Sequence, residues 1–242
     1  IYTLSLHDAL PIYQPVFQLT AFGKEKFMNI KSYFTEIWQE KGWWKSILLT
    51  GLITLIPILG QIYLLGWLFE IYSLNHTPKR AMLPFTPTAK ILLNGLKLAI
   101  GVLVYFIPFL ILSGAIGLLA NFFYWTKIGW FATLIFNLLA FIRNISFAVG
   151  ILAVLLILPI LIITYDQRKT IADFFRVNHI LKSIAQNLQT LATFFVLSVL
   201  AIFIASLGGS FLMIGFIFTV PFAAAFYGNA LGDLSLITVS EP

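Results

Sequence analysis

Apolar runs long enough to cross a lipid bilayer alternate along this chain with short segments that hold its few charges. Leu98–Ala120 supplies 23 nearly uninterrupted apolar residues, and a helix needs about 20 to cross a hydrocarbon core of ~30 Å. Ile145–Ile163 and Leu188–Leu207 read as further spans, and Phe211–Tyr227 as the last, after a tight Gly208-Gly209-Ser210 turn. Arg143-Asn144 separates Phe131–Ile142 from the span that follows. As one helix the whole stretch from Phe131 to Ile163 would be about 50 Å long, too long without steep tilt or protrusion. The pattern therefore predicts four full spans.

Ser46–Leu74 is apolar too, but Pro57-Ile58-Leu59-Gly60 interrupts it. Pro removes a backbone donor and Gly permits a turn. The segment thus predicts either one rod or two short helices, Ser46–Ile56 and Gln61–Leu74, folded into a hairpin. Two polar stretches carry helical periodicity. In Asn29–Lys41, Ile30, Phe34, Ile37 and Trp38 share a face. Such a helix either lies flat in the headgroup layer or packs on the rest of the protein. In Thr164–Asn187, Ile171, Phe174, Phe175, Leu181, Ile184 and Leu188 line one face. Aromatic residues crowd Asn121–Trp130 around Lys127 and read as an interface belt.

Charge decides between hairpin and rod. A hairpin returning to its starting side leaves 13 of the 15 cations on one side, with only Lys127 and Arg143 opposite. A single crossing splits them 7 to 8. Cytoplasmic loops carry the excess of Lys and Arg, so the hairpin is expected, with both termini cytoplasmic in a multi-pass protein of the cell (inner) membrane. Composition agrees: 60% of residues are hydrophobic, 10% are charged, and mean hydropathy is +0.96. These values exclude an ordinary water-soluble enzyme. With no Cys, three His and nine acids, disulfides and thiolate sites are excluded and no metal or other cofactor is expected. The net charge of +6 calls for no nucleic acid; it suits anionic lipid headgroups at the basic segments.

Ile1–Ile12 reads at every position as a translated sequencing-library adapter and is set aside. Met28 is the first Met, so Tyr13–Phe27 is expected to be a non-native leader, and residues 28–242 a single integral membrane domain. Pro57, Pro108 and Pro159 stand 51 residues apart in similar apolar settings, a weak internal echo.

Several segments in order carry a resemblance: WWKSILLTGLITLIPILGQIYLLGWLFEI, LPFTPTAKILLNGLKLAIGVLVYFIP, TIADFFRVNHILKSIAQN and VPFAAAFYGNALGDL. Over roughly Lys41–Leu234 the chain resembles the uncharacterised polytopic membrane family named domain of unknown function 4013. The most specific pieces are Pro57–Gly60 with Gly66, Leu83-Pro84 followed by Gly95-Leu96-Lys97, and Tyr227-Gly228. Members usually carry a Trp and acidic residues just after the Leu-Pro, where this chain has Phe85-Thr86-Pro87-Thr88. The resemblance implies a multi-helix membrane protein and transfers no catalytic residue.

The candidate positions are the hinge Pro57 and Gly60, with Gly66 and Glu70 four residues apart on one helix face. Glu70 is expected at the interface, reaching water or pairing with Lys79 or Arg80. Lys97 is expected to snorkel. Arg143 should mark the outer interface or a buried polar contact. Asn94, Asn121, Asn137 and Asn144 are expected to hydrogen-bond between helices. His76 and His179 read as solvated, and Asp166 and Asp173 as surface pairs with Arg168, Lys169 and Arg176. No catalytic constellation appears. The expectation is an all-α polytopic transmembrane helical bundle with amphipathic interfacial helices and a short Pro/Gly helical hairpin. In function it is a non-enzymatic envelope scaffold or membrane-organising component. The alternative is a small-solute transporter or channel subunit. A homo- or hetero-oligomer is compatible with either.

Overall fold

The structure, a computed structural model, describes residues 30–75, 83–84, 87–126, 129–186, 188–210 and 214–239. The adapter-like and leader-like segments and Met28 fall outside these residues, as do His76, Lys79, Arg80, Phe85 and Thr86. Among the described residues the elements are all helical: α1 (Ile30–Gln39), α2 (Trp43–Thr54), α3 (Leu59–Asn75), α4 (Ala89–Thr126), α5 (Gly129–Arg168), α6 (Val177–Gln186), α7 (Leu188–Ser206) and α8 (Phe216–Val239). Short 3-10 turns cover Ile171–Phe175 and Leu207–Ser210.

The interruption at Pro57 does fold the chain back. Tyr63 on α3 shares a side-chain hydrogen bond with Thr50 on α2; in one rod those residues would stand about 20 Å apart. A Cβ at Gly60 would lie 2.4 Å from the Ile53 carbonyl oxygen, so the returning arm closes directly on the outgoing one. Helix α8 supplies the direction. Its early residue Ile217 meets Gly51 late in α2, while its later Gly228 and Gly232 meet Ile71 and Asn75 late in α3. Hence α3 runs with α8. Trp43 at the start of α2 packs on Trp38, which in turn packs on Phe222 of α8, so α2 runs against α8.

Helices α4 and α5 form a long antiparallel pair, with Tyr124 against Phe136, Gly117 against Arg143, and Phe109 against Gly150. Their 38 and 40 residues make them about 57 and 60 Å long. Arg143-Asn144 therefore does not divide α5. A helix satisfies its backbone internally whatever side chains it carries, and Arg143 finds room because Gly117 has no side chain.

Among the described residues three helices are long and apolar enough to cross a membrane: Ala89–Thr126, Gly129–Arg168 and Leu188–Gly209. The stretch expected as a fourth span falls in α8, which is not among these three. It begins at Phe216 rather than Phe211 and continues past Tyr227 to Val239, against α1, α2, α3 and α7. Its small buried residues Ala223, Ala224, Ala225 and Ala230 let these neighbours approach. The 51-residue echo does not produce equivalent elements: Pro57 sits in a turn, whereas Pro108 and Pro159 lie inside helices.

Of the two placements open to the first amphipathic stretch, α1 takes the packed one. Tyr33 and Ile37 are buried, and Phe34 stacks on Phe222 and Phe226 of α8. Burial, then the carboxylates of Asp233 and Glu36, push the Tyr33 phenol from 10.0 up to about 12. A raised phenol contributes stability in full below pH 10 and loses it as pH rises through 12. Alkaline titration of the solubilised protein is thus expected to show a stability decline between pH 10 and 12 that Tyr33→Phe reduces; identical profiles for both proteins would refute it.

The second amphipathic stretch is not one helix. Lys169 adopts φ 54°, the chain turns through the 3-10 segment, and α6 starts afresh at Val177. Phe174 is fully buried against Gly101 and Tyr165 while Phe175 is exposed. Asp173 is not a surface residue: it is buried, accepts from Arg168 (3.1 Å) and forms an ion pair with Arg176 (3.3 Å). Asp166 pairs with Lys169 as expected.

Candidate functional site

The four candidate positions lie in order along the returning arm of the α2–α3 hairpin. The turn itself is apolar and open. Leu55, Ile56, Ile58 and Leu59 are all exposed, Ile58 to 74%. Its backbone is largely self-satisfied: the N–H groups of Leu55, Ile56, Leu59 and Gly60 donate to Leu52, Ile53, Pro57 and Ile56, and Pro57 has none to leave orphaned. An apolar tip with satisfied backbone can sit in lipid. Ile58 holds φ 66°, a left-handed conformation costly for a β-branched side chain. Arms of 12 and 17 residues are about 18 and 26 Å long, short of the hydrocarbon thickness.

Gly66 makes a helix contact as close as that of Gly51 with Ile217. A Cβ there would fall 1.8 Å from the Ile91 carbonyl oxygen, and one at Gly95 would fall 1.9 Å from the Ile62 oxygen. The two glycines face each other, so α3 and α4 touch backbone to backbone. One turn beyond Gly66, Glu70 meets α4 again, and its Oε1 accepts from Lys90 Nζ at 2.9 Å. The acid thus pairs with a cation on the next helix, whereas the expected partners Lys79 and Arg80 lie outside the described residues. Lys90 remains 69% exposed while Glu70 is 18% exposed, and Glu70 Oε2 is buried with no partner among the described residues. Gly66 and Glu70 are brought together at α4; Pro57 and Gly60 stay at the far end of α3, so the four do not converge.

Polar rungs that the sequence did not single out as pairs tie the helices together. Tyr165 Oη donates to Asn94 Oδ1 at 3.0 Å, Tyr105 Oη donates to the Phe174 carbonyl at 2.8 Å, and Asn75 Nδ2 donates to Asn229. Trp67 Nε1 donates to the Pro84 carbonyl at 3.2 Å. Their signal in the sequence is faint: a hydroxyl or amide inside an apolar run, with a partner up to 154 residues away. Lys97 is half-buried, its Nζ 5.5 Å above the Tyr165 ring. Of the four expected interhelical amides, Asn94 makes such a bond. Among the described residues Asn121 and Asn137 are exposed without one, and Asn144 accepts from its neighbour Arg143 at 3.4 Å.

Two grooves flank α7. One of about 190 Å³ lies between α3, α5, α7 and α8, lined by Leu64, Leu68, Leu155, Ala201, Ala224 and Tyr227 among others. The other, about 290 Å³, is lined wholly by aliphatic and aromatic residues of α5, α6 and α7, including Leu152 and Phe195. Both offer apolar walls, suited to acyl chains rather than to a polar solute. Among the described residues no three His, Cys, Asp or Glu gather at metal-binding spacing.

Comparison with known proteins gives one match. A family model described as "Protein of unknown function (DUF4013)" fits residues 49–214. No curated protein and no solved structure matches.

Proposed function

We propose, from the premise that this chain belongs to the DUF4013 family of unknown function, that it is a non-enzymatic membrane-organising component. It is a multi-pass protein of the cell membrane, with both termini on the cytoplasmic side and its basic segments against anionic headgroups. The observation that carries the reading is the state of Glu70: the acid nearest membrane depth in the hairpin is paired with Lys90, and the grooves nearby are apolar. Returning α2–α3 to its starting side supports the one-sided collection of cations. Lys31, Lys41, Lys45 and Lys182 are exposed in that set, and each basic residue near an anionic surface contributes roughly 1 kcal/mol of attraction.

The test is reconstitution of the full chain in vesicles of phosphatidylcholine doped with spin-labelled phosphatidylglycerol. The expected result is several-fold enrichment of the anionic lipid at the protein, lost when the four lysines become Gln. The same vesicles should release trapped potassium or amino acids no faster than protein-free ones. Equal association of anionic and zwitterionic lipid would overturn the scaffold reading, and solute flux abolished by Glu70→Gln would replace it with transport.

A further inference from the structure

Helix α5 carries a second packing seam that no described residue covers. The seam toward α4 includes Phe136, Arg143 and Gly150, through the contacts described above. Turned roughly 120° around the helix from that seam, at ~100° per residue, lies the set Asn137, Phe141, Asn144, Ala148 and Ile151. Their spacing alternates four and three residues, the a/d pattern of helix pairs, and all five are exposed. Trp130 extends the stripe by one heptad to the aromatic end of the α4–α5 hairpin.

Two of these side chains do not belong against lipid. Asn137 makes no hydrogen bond among the described residues, and the Asn144 amide N–H groups are unused, its oxygen alone accepting from Arg143. They lie seven and fourteen residues from Trp130, hence about 10 and 21 Å along the helix. With the aromatic end at one interface, both fall inside a ~30 Å hydrocarbon core. An amide there is costly unless a partner supplies the hydrogen bonds that water would.

We infer that α5 pairs with α5 of a second copy, forming a homodimer about a two-fold axis along the membrane normal. Copies in one bilayer share an orientation, so such an axis sets Asn137 facing Asn137 and Asn144 facing Asn144. A carboxamide carries donors and an acceptor and is therefore its own complement; a second copy supplies matching groups at both depths by symmetry. Phe141 and Ala148 alternate bulk with space along the same line. Arg143 is turned toward Gly117 and away from the axis, so the two cations do not meet. The inference rests on α5 spanning the membrane, as in the proposed function.

The chain has no native Cys, so single cysteines report directly in the full-length protein in lipid vesicles. Oxidation is expected to give disulfide-linked dimers for Phe141→Cys and Ala148→Cys. Ile142→Cys and Val149→Cys, also exposed but on another face, should yield at least tenfold less. Replacing both Asn137 and Asn144 by Leu should weaken self-association at least tenfold, read by energy transfer between labelled copies, with protease resistance unchanged. Equal cross-linking at all four positions, none at any, or undiminished association of the double Leu variant would overturn the dimer. Rapid labelling of Phe141→Cys by a water-soluble maleimide would instead overturn the membrane placement of α5.

Discussion

Replacing Gly66 by Ala is expected to destabilise the protein by about 3 kcal/mol or more, and Gly66→Leu to prevent folding. Ordinary overpacking of a core costs about 1–3 kcal/mol because side chains and backbone shift to make room. At Gly66 the obstructing atom is the Ile91 carbonyl oxygen, 1.8 Å from where the new Cβ would stand. A backbone oxygen inside a helix cannot rotate aside, so α3 must move off α4 as a unit. That movement also draws Glu70 away from Lys90. Gly114→Ala is the internal control: nothing lies within 4 Å of its Cβ position. The exchange should be neutral or slightly stabilising, since Gly costs about 1 kcal/mol relative to Ala in a helix. Thermal unfolding in detergent micelles measures both. Equal midpoints for the two variants would remove the backbone contact from the account.

The second large effect is expected at Phe174. Its side chain is fully buried, its ring lies 3.0 Å from the Cβ position of Gly101, and its carbonyl accepts the Tyr105 hydroxyl. Phe174 thereby fastens the 3-10 turn to α4 as well as to α5, with Asp173 drawing in Arg168 and Arg176 alongside. Phe174→Ala should cost about 3–5 kcal/mol, the usual range for emptying a buried Phe site. Phe174→Leu, which keeps most of the volume, should cost less than about 1.5 kcal/mol. Limited proteolysis is the second readout: cleavage between Lys169 and Val177 should accelerate in the Ala variant ahead of the rest of the chain. Uniform cleavage would mean that the turn is not held by this side chain.

Some of this was legible in the sequence and some was not, for physical reasons. Pro57 and Gly60 announce the hairpin because each acts on the backbone locally. Gly66 was visible as a helix-face neighbour of Glu70, but its opposite number Gly95 comes 29 positions later, and only packing pairs them. Arg143-Asn144 looked like a boundary because charge and apolar length were weighed without Gly117, whose missing side chain makes a groove for the arginine. Phe174 and Phe175 looked equivalent on a helical face; the left-handed Lys169 ends α5 and starts a tighter turn that buries one and exposes the other. Glu70 reads from sequence as reaching water or the nearby cations Lys79 and Arg80, which lie outside the described residues, and helix packing adds Lys90, 20 positions on. The outward amides of α5 carry the same sequence signal as Asn94, yet Asn137 makes no hydrogen bond among the described residues.

Everything proposed about sidedness depends on the α2–α3 hairpin beginning and ending at one face of the membrane. Single cysteines at Lys45, Thr77 and Thr126, probed with a membrane-impermeant maleimide in right-side-out vesicles, test this directly. Labelling from outside is expected at Thr126→Cys alone, with Lys45→Cys and Thr77→Cys reacting only after the vesicles are opened. Outside labelling of Thr77→Cys with Lys45→Cys still protected would mean that the chain crosses once between them, contradicting the account.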